Sequence, residues 1–290
     1  MLFGAHVSAA GGISKAIDRV EEIGGDAVQV FTQSPRMWRP TAHAPEEIER
    51  FRRRREEVGV HAVLCHALYL VNLASRDEEI RMKSLASLRA TMETAEAIGA
   101  DAVVFHVGSH LGYGFEEALQ VIEPSLRELL DLTTDDLWLC MENTAGAGGT
   151  IGRSIDELAA LCEALDRHAR LGLCIDSCHW WASGVDVSDP AALDAALAEL
   201  EARIGLERVR GLHVNDAAVP LGSNRDRHER VGLGVIGSGL ATFLGHPAFQ
   251  GLPAVTETWE DKGRDTKDIR TLRRLARKGQ KEWASWPSRP

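Results

Sequence analysis

The run Val209-Arg-Gly-Leu-His-Val-Asn-Asp216, with Asn224-Arg-Asp-Arg-His228 a few residues on, decides how the rest of the chain is read. Its first half is short and apolar and gives way to a loop. It therefore reads as a buried strand, and His213 falls near the point where that strand ends. Asp226 and His228 lie two apart in the following loop, a spacing that turns both side chains to one side of an extended backbone. Taken alone, the stretch reads equally well as a satisfied core histidine before a solvated charged loop. Recurrence separates the two readings, because apolar runs ending in His, Asp or Glu return along the whole chain.

Such strand-like runs occupy Leu2–Val7, Asp26–Phe31, His61–His66, Asp101–Val107, Leu137–Glu142, Leu171–Asp176, Val209–Asn215 and Pro253–Glu257. Between them lie segments with helical periodicity, among them Glu46–Val58, Glu78–Ile98, Phe115–Leu130, Ser154–Asp166 and Ala191–Ile204. Eight strand-plus-helix units in 290 residues average about 36 residues each, as a single (β/α)8 TIM barrel requires. Gly24-Gly25, Gly59 and Gly99 mark helix exits, and Ser154 with Glu157 reads as a capping box. No low-complexity linker divides the chain. The expectation is one α/β barrel domain over residues 1–277 and a polar, frayed tail over residues 278–290.

TIM barrels carry their active sites at the C-terminal ends of the strands, so reactive residues should close each run and not open it. The closing residues are His6, His66, His106, Glu142, Asp176 with His179 just beyond, His213 and Glu257. The opening residues, such as Asp26, Asp101 and Asp136, are ordinary surface types. A random scatter of 11 histidines would rarely place four at strand ends.

Composition narrows the class further. An apolar fraction of 44% with 26% charged residues suits a globular domain. No apolar run approaches the length of a membrane span, and the N-terminus lacks the marks of a cleaved signal, so a cytoplasmic protein is expected. Five cysteines without a Cys-x-x-Cys pair, three of them inside apolar strands, argue against a disulfide framework. The net charge of −10 weighs against a nucleic-acid partner only if the carboxylates stay free. Three bound divalent cations would more than halve that charge, and would sit where a phosphate must approach.

Nine candidate ligands emerge: His66, His106, Glu142, Asp176, His179, His213, Asp226, His228 and Glu257. Imidazole and carboxylate without thiolate suit catalytic zinc, with manganese or iron possible, and nine side chains exceed what one ion takes. Two or three ions fit, and such a cluster suits phosphodiester hydrolysis. The competing reading on the same barrel is a metal-dependent sugar isomerase or epimerase. That chemistry usually uses a lysine or an additional carboxylate near the substrate carbons, and no lysine closes any strand here.

Seven ordered motifs resemble the endonuclease IV family of zinc-dependent apurinic/apyrimidinic endonucleases. They are Gly4-Ala-His-Val-Ser-Ala-Ala-Gly-Gly, His66-x-x-Tyr-Leu-x-Asn, Phe105-His-x-Gly-Ser-His, Glu142-Asn-Thr-Ala-Gly, Cys174-Ile-Asp-x-Cys-His, Gly211-x-His-x-Asn-Asp and Asp226-Arg-His, and the likeness runs from Gly4 to about Thr258. The resemblance implies three zinc ions: one on His66, His106 and Glu142, a second on Glu142, Asp176, His213 and Glu257, and a third on His179, Asp226 and His228. Glu142, Glu257 and Asp226 would be the carboxylates closest to catalysis, and manganese could replace zinc at one site. The implied activity is incision of damaged double-stranded DNA 5′ to abasic sites during base excision repair, by a monomer, leaving a 3′-hydroxyl and a 5′-deoxyribose phosphate. It also implies DNA contacts from Arg36, Tyr69 and Leu70, an arginine and two side chains able to fill a gap in stacked bases. The chain departs from the family pattern at Met37, where glutamine is usual.

The remaining features have plainer readings. Arg52–Arg55 is expected to be a solvated helix face, His43, His61, His168 and His246 are structural or surface groups, and Trp180-Trp181 is a packing pair. His6 is expected to hydrogen-bond to ligands without joining them. Gly146, Gly148 and Gly149 lack the Gly-Lys-Ser/Thr of a phosphate loop.

Overall fold

The computed structural model describes residues 1–258 and 262–286. In chain order the principal elements are β1 (Leu2–His6), α1 (Lys15–Ile23), β2 (Ala27–Phe31), α2 (Pro45–Val58), β3 (Ala62–His66), α3 (Glu78–Ile98), β4 (Ala102–Phe105), α4 (Phe115–Leu130) and β5 (Trp138–Glu142). There follow α5 (Ile155–Ala164), β6 (Leu171–Asp176), α6 (Ser177–Ser183), α7 (Pro190–Arg203), β7 (Val209–His213), β8 (Asp216–Ala217), β9 (His228–Glu229), α8 (Leu240–Gly245), β10 (Pro253–Thr256) and α9 (Lys262–Ala284). β1 through β7 and β10 close into one parallel barrel, with β10 between β7 and β1. β8 and β9 form a separate antiparallel ladder in the loop after β7. Among the described residues no helix is long and apolar enough to cross a membrane.

The barrel interior is filled by small and medium side chains: Ala27, Ala62, Leu64, Ala102, Val104, Cys140, Cys174 and Val255. The larger aliphatic and aromatic residues instead pack between the strands and the surrounding helices. Burial pushes the Cys174 thiol up to about 11, so it packs as a neutral small hydrophobe. All five cysteines are free and buried.

Helix ends follow the local chemistry expected of them. Gly59 and Gly99 close α2 and α3 at φ of 76° and 70°, a left-handed conformation that costs glycine nothing. The capping box at α5 is only half formed. Ser154 accepts from the Glu157 backbone N–H, but the Glu157 carboxylate reaches Gly152 and Arg153 N–H rather than returning to Ser154. Arg54 pairs with Asp18, Glu21 and Glu57, while Arg55 binds the carbonyls of Val60, Gly99 and His61 beneath the barrel. That face is therefore partly a strap across strand starts and not simply solvated.

The C-terminal expectation needs correction. α9 passes residue 278 without a break and runs to Ala284, where a frayed tail was expected. Residues 287–290 of that expected tail lie outside the described residues. The packing of α9 explains its length. A Cβ at Gly279 would lie 1.7 Å from the Ala241 carbonyl oxygen, and one at Gly245 would lie 2.2 Å from the Gly279 carbonyl carbon, so α8 and α9 meet backbone to backbone. Trp283 adds a hydrogen bond from Nε1 to the Thr242 carbonyl and an edge contact to His246.

Candidate metal centre

Most of the barrel strands deliver a ligand-type side chain, at their last residue or just beyond it, to the same end of the barrel. His66 and Glu142 end β3 and β5, Asp176 and His213 end β6 and β7, and Glu257 follows β10 directly. β4 stops at Phe105, so His106 stands one residue beyond the ladder and is more exposed than the others. Asp176 also caps α6, accepting from the His179 backbone N–H at 2.7 Å. One carboxylate thereby fixes the turn that brings His179 back over the mouth. Asp226 and His228 come from the loop closed by β8 and β9.

The nine side chains meet around Glu142. Its Oε2 lies 3.1 Å from His66 Nε2 and 3.4 Å from His106 Nε2. Its Oε1 lies 3.0 Å from His213 Nδ1 and 3.1 Å from His179 Nδ1. His213 Nδ1 is also 3.0 Å from Glu257 Oε2, and ligand atoms of Glu142, Asp176, His213 and Glu257 all lie within 4.8 Å of one another. A further group joins His179, Asp226 and His228: the two imidazole Nε2 atoms are 3.4 Å apart, with Asp226 oxygens 3.4 Å and 3.2 Å from them. His106 touches Glu142 but falls outside every such four- or three-membered cluster among the described residues.

This donor set fits divalent cations on three grounds. Tetrahedral bonds of about 2.0–2.1 Å place ligand atoms about 3.3 Å apart, the spacing found here. The imidazoles are oriented for the task, since His66 Nδ1 donates to the Ala67 carbonyl at 2.7 Å and His213 Nε2 donates to Gln29 Oε1 at 2.8 Å. That leaves His66 Nε2 and His213 Nδ1 facing the carboxylates, the arrangement metal-binding histidines adopt. Third, the charges demand a cation. Burial would raise the Glu142 carboxyl, yet the imidazoles of His106, His213 and His179 hold it well below the usual carboxylate range. Partial withdrawal from water likewise opposes the half-exposed Asp226, but His179 and His228 bring it down to about 2. Burial lowers His179 while Asp176, Asp226 and Glu142 raise it, and the carboxylates prevail; His66 and His213 are raised as well, so without metal these three imidazoles carry the balancing protons.

Cys178 approaches Asp176 and His228 closely enough to suggest a thiolate ligand. Burial holds its thiol protonated, and Sγ donates to the Arg227 carbonyl. It packs beneath the site.

Several contributors escaped the sequence reading. Gln29, fully buried in mid-strand, donates to Glu257 Oε1 at 2.6 Å and to His6 Nδ1 at 3.0 Å while accepting from His213. Asn215 donates to Asp176 Oδ2, and Asn143 accepts from the Asp176 backbone N–H. The available signal was an amide inside an apolar strand at Gln29, and two asparagines, Asn143 directly after Glu142 and Asn215 two residues after His213.

Beside this centre opens a cleft of about 680 Å³ lined by His6, Phe31, Arg36, Tyr69, Glu257 and Thr258. Tyr69 in this lining is 65% exposed, and Leu70 beside it and Met37 beside Arg36 are 40% and 53% exposed. Tyr69 stands edge-on to Phe31, with ring centroids 5.2 Å apart.

The sequence matches the xylose isomerase-like TIM barrel family over residues 17–279. The probable endonuclease 4 of Chloroflexus aurantiacus is 37% identical over 270 residues, spanning 92% of this chain and 94% of that protein. The probable endonuclease 4 of Halorhodospira halophila is 41% identical over 258 residues, spanning 88% and 87%. The chain belongs to the endonuclease IV family. Endonuclease IV from Thermus thermophilus matches with a TM-score of 0.86 at 35% identity, covering 96% of this chain and 100% of that one. A D-tagatose 3-epimerase-like protein reaches a TM-score of 0.72 at only 19% identity, a likeness of barrel alone. Membership of the endonuclease IV family makes the chain a DNA endonuclease, and the sugar-isomerase alternative keeps only the shared fold.

Proposed function

We propose that this protein hydrolyses duplex DNA on the 5′ side of abasic sites, leaving a 3′-hydroxyl and a 5′-deoxyribose phosphate for base excision repair, and that it does so as a monomer with three zinc ions. The observation that carries this reading is the convergence of nine His, Asp and Glu side chains on one barrel mouth, beside a cleft lined or flanked by exposed apolar residues. His66, His106 and Glu142 would hold one ion, Glu142, Asp176, His213 and Glu257 a second, and His179, Asp226 and His228 a third, with manganese acceptable at one of them. Bound there, the ions would supply Lewis-acid stabilisation of phosphate charge and an acidified water.

The protein's own groups do the rest. Glu142 presents separate oxygens to the His66/His106 and His213/His179 sides, so it sits at the centre of the site and fixes the spacing of both. Glu257 belongs both to the ligand cluster and to the cleft wall, which places a carboxylate where an attacking water would give up its proton. Asp226 is half exposed at the outer edge of the centre, facing His179. Arg36 would meet phosphate, and Tyr69 and Leu70 would fill the gap left when the abasic nucleotide turns into the cleft. Met37 beside Arg36 fills space without donating hydrogen bonds, so the wedge here is more apolar than the family pattern.

The test is incision of a labelled duplex carrying a tetrahydrofuran abasic analogue by zinc-loaded protein. The analogue has no aldehyde and cannot undergo β-elimination. A 5′-side nick ending in a 3′-hydroxyl is expected, and an intact duplex would overturn the proposal.

A further inference from the structure

The nine proposed ligands are not supported alike. His66, Glu142, Asp176 and His213 close barrel strands and are at most 2% exposed. The side chains of Asp226 and His228 are 53% and 19% exposed, and they hang from the β8–β9 loop outside the barrel ladder. Something beyond the strands must therefore keep that loop facing His179.

Two anchors hold the chain that follows His228. In one, the buried Asp216 carboxylate accepts from the backbone N–H groups of Ala217, Gly232, Gly234, Ile236 and Gly237, gathering the chain after β9. The other is Arg230, two residues past His228 and among the largest fully buried side chains. Its Nη1 donates to Asp265 Oδ1 at 2.9 Å and to Asp268 Oδ2 at 2.6 Å, both on α9 and both buried. A guanidinium withdrawn from water tolerates little movement away from its carboxylates, because an unpaired buried charge is costly. The pair therefore fixes where β9, and with it His228, can sit.

We propose that Arg230 is a positioning residue: clamped to α9 through Asp265 and Asp268, it sets Asp226 and His228 against His179, so the third ion depends on this clamp while the other two do not. The inference rests on the three-ion reading above. It assigns α9, the helix that follows Glu257 in the chain, a role in the site without a ligand of its own.

Zinc content of the full-length protein, measured across a series of buffered zinc concentrations, tests this. The wild-type protein should bind three ions. Arg230→Gln should hold two with unchanged affinity while the third weakens by about 10–100-fold, the usual scale for losing a ligand's support. Three ions at wild-type affinity in Arg230→Gln would overturn the proposal, as would equal weakening of all three. Should Arg230→Gln fail to fold, Asp268→Asn, which keeps Arg230 and Asp265, is read the same way: selective loss of one ion supports the clamp and no loss refutes it. Wild-type protein holding fewer than three ions would instead overturn the three-ion reading, and this inference with it.

Discussion

Glu142→Ala is expected to lower incision of an abasic duplex by at least about 10³-fold while leaving the affinity for that duplex within a few-fold of wild type. The magnitude follows from position. Glu142 is the one side chain facing His66, His106, His213 and His179 together, so its removal takes a ligand from two proposed ion sites at once. Loss of a single preorganised group that stabilises developing charge already costs about 10²–10³-fold. Binding should survive because the groups proposed to grip DNA, Arg36, Tyr69 and Leu70, are at least partly open to solvent and none of them is a ligand-type side chain, whereas Glu142 is fully buried. Single-turnover kinetics and a gel-shift titration separate the two effects. Near-normal incision by Glu142→Ala would remove the metal cluster from the mechanism, and equal loss of binding and incision would point to a disturbed fold.

Stripping the protein with a strong chelator should abolish incision and lower the unfolding temperature by at least roughly 10 °C, both restored by zinc. The stability effect is mass action. An ion present at about a thousand times its dissociation constant adds about 4 kcal/mol to the folded state, and each kcal/mol shifts a large domain by roughly 2–4 °C. Electrostatics adds to this, because stripping leaves the carboxylates of Glu142, Asp176 and Glu257 buried at one barrel mouth with only protonated imidazoles to balance them. Differential scanning calorimetry before and after chelation reads the shift. An unchanged unfolding temperature would show that the cluster holds no structural ion.

Much of this architecture was legible in the chain because two independent periodicities agree. Apolar runs recur at the spacing of a strand-plus-helix unit, and metal-ligating residue types close those runs while surface types open them. Residues such as His66, Glu142 and His213 could thus be placed at one end of a barrel from local pattern alone. The supporting groups were harder to see. Gln29 reads as an ordinary mid-strand residue until β1, β2 and β7 close around it, since its partners His6, His213 and Glu257 lie as far as 228 positions away. The same holds for Arg230, whose partners Asp265 and Asp268 lie 35 and 38 positions away on α9. The end of α9 reads as a tail from its polar composition, while its hold on α8 comes from Gly279, a residue that suggests flexibility in isolation and close helix contact in place. Local pattern reveals which residue types a strand delivers, but not which distant side chains will brace them.

The most direct test of the central claim is anomalous diffraction at the zinc absorption edge, from crystals of protein purified without added metal. Three peaks are predicted: one among His66, His106 and Glu142, one among Glu142, Asp176, His213 and Glu257, and one among His179, Asp226 and His228. A single peak, or none at the barrel mouth, would contradict the account.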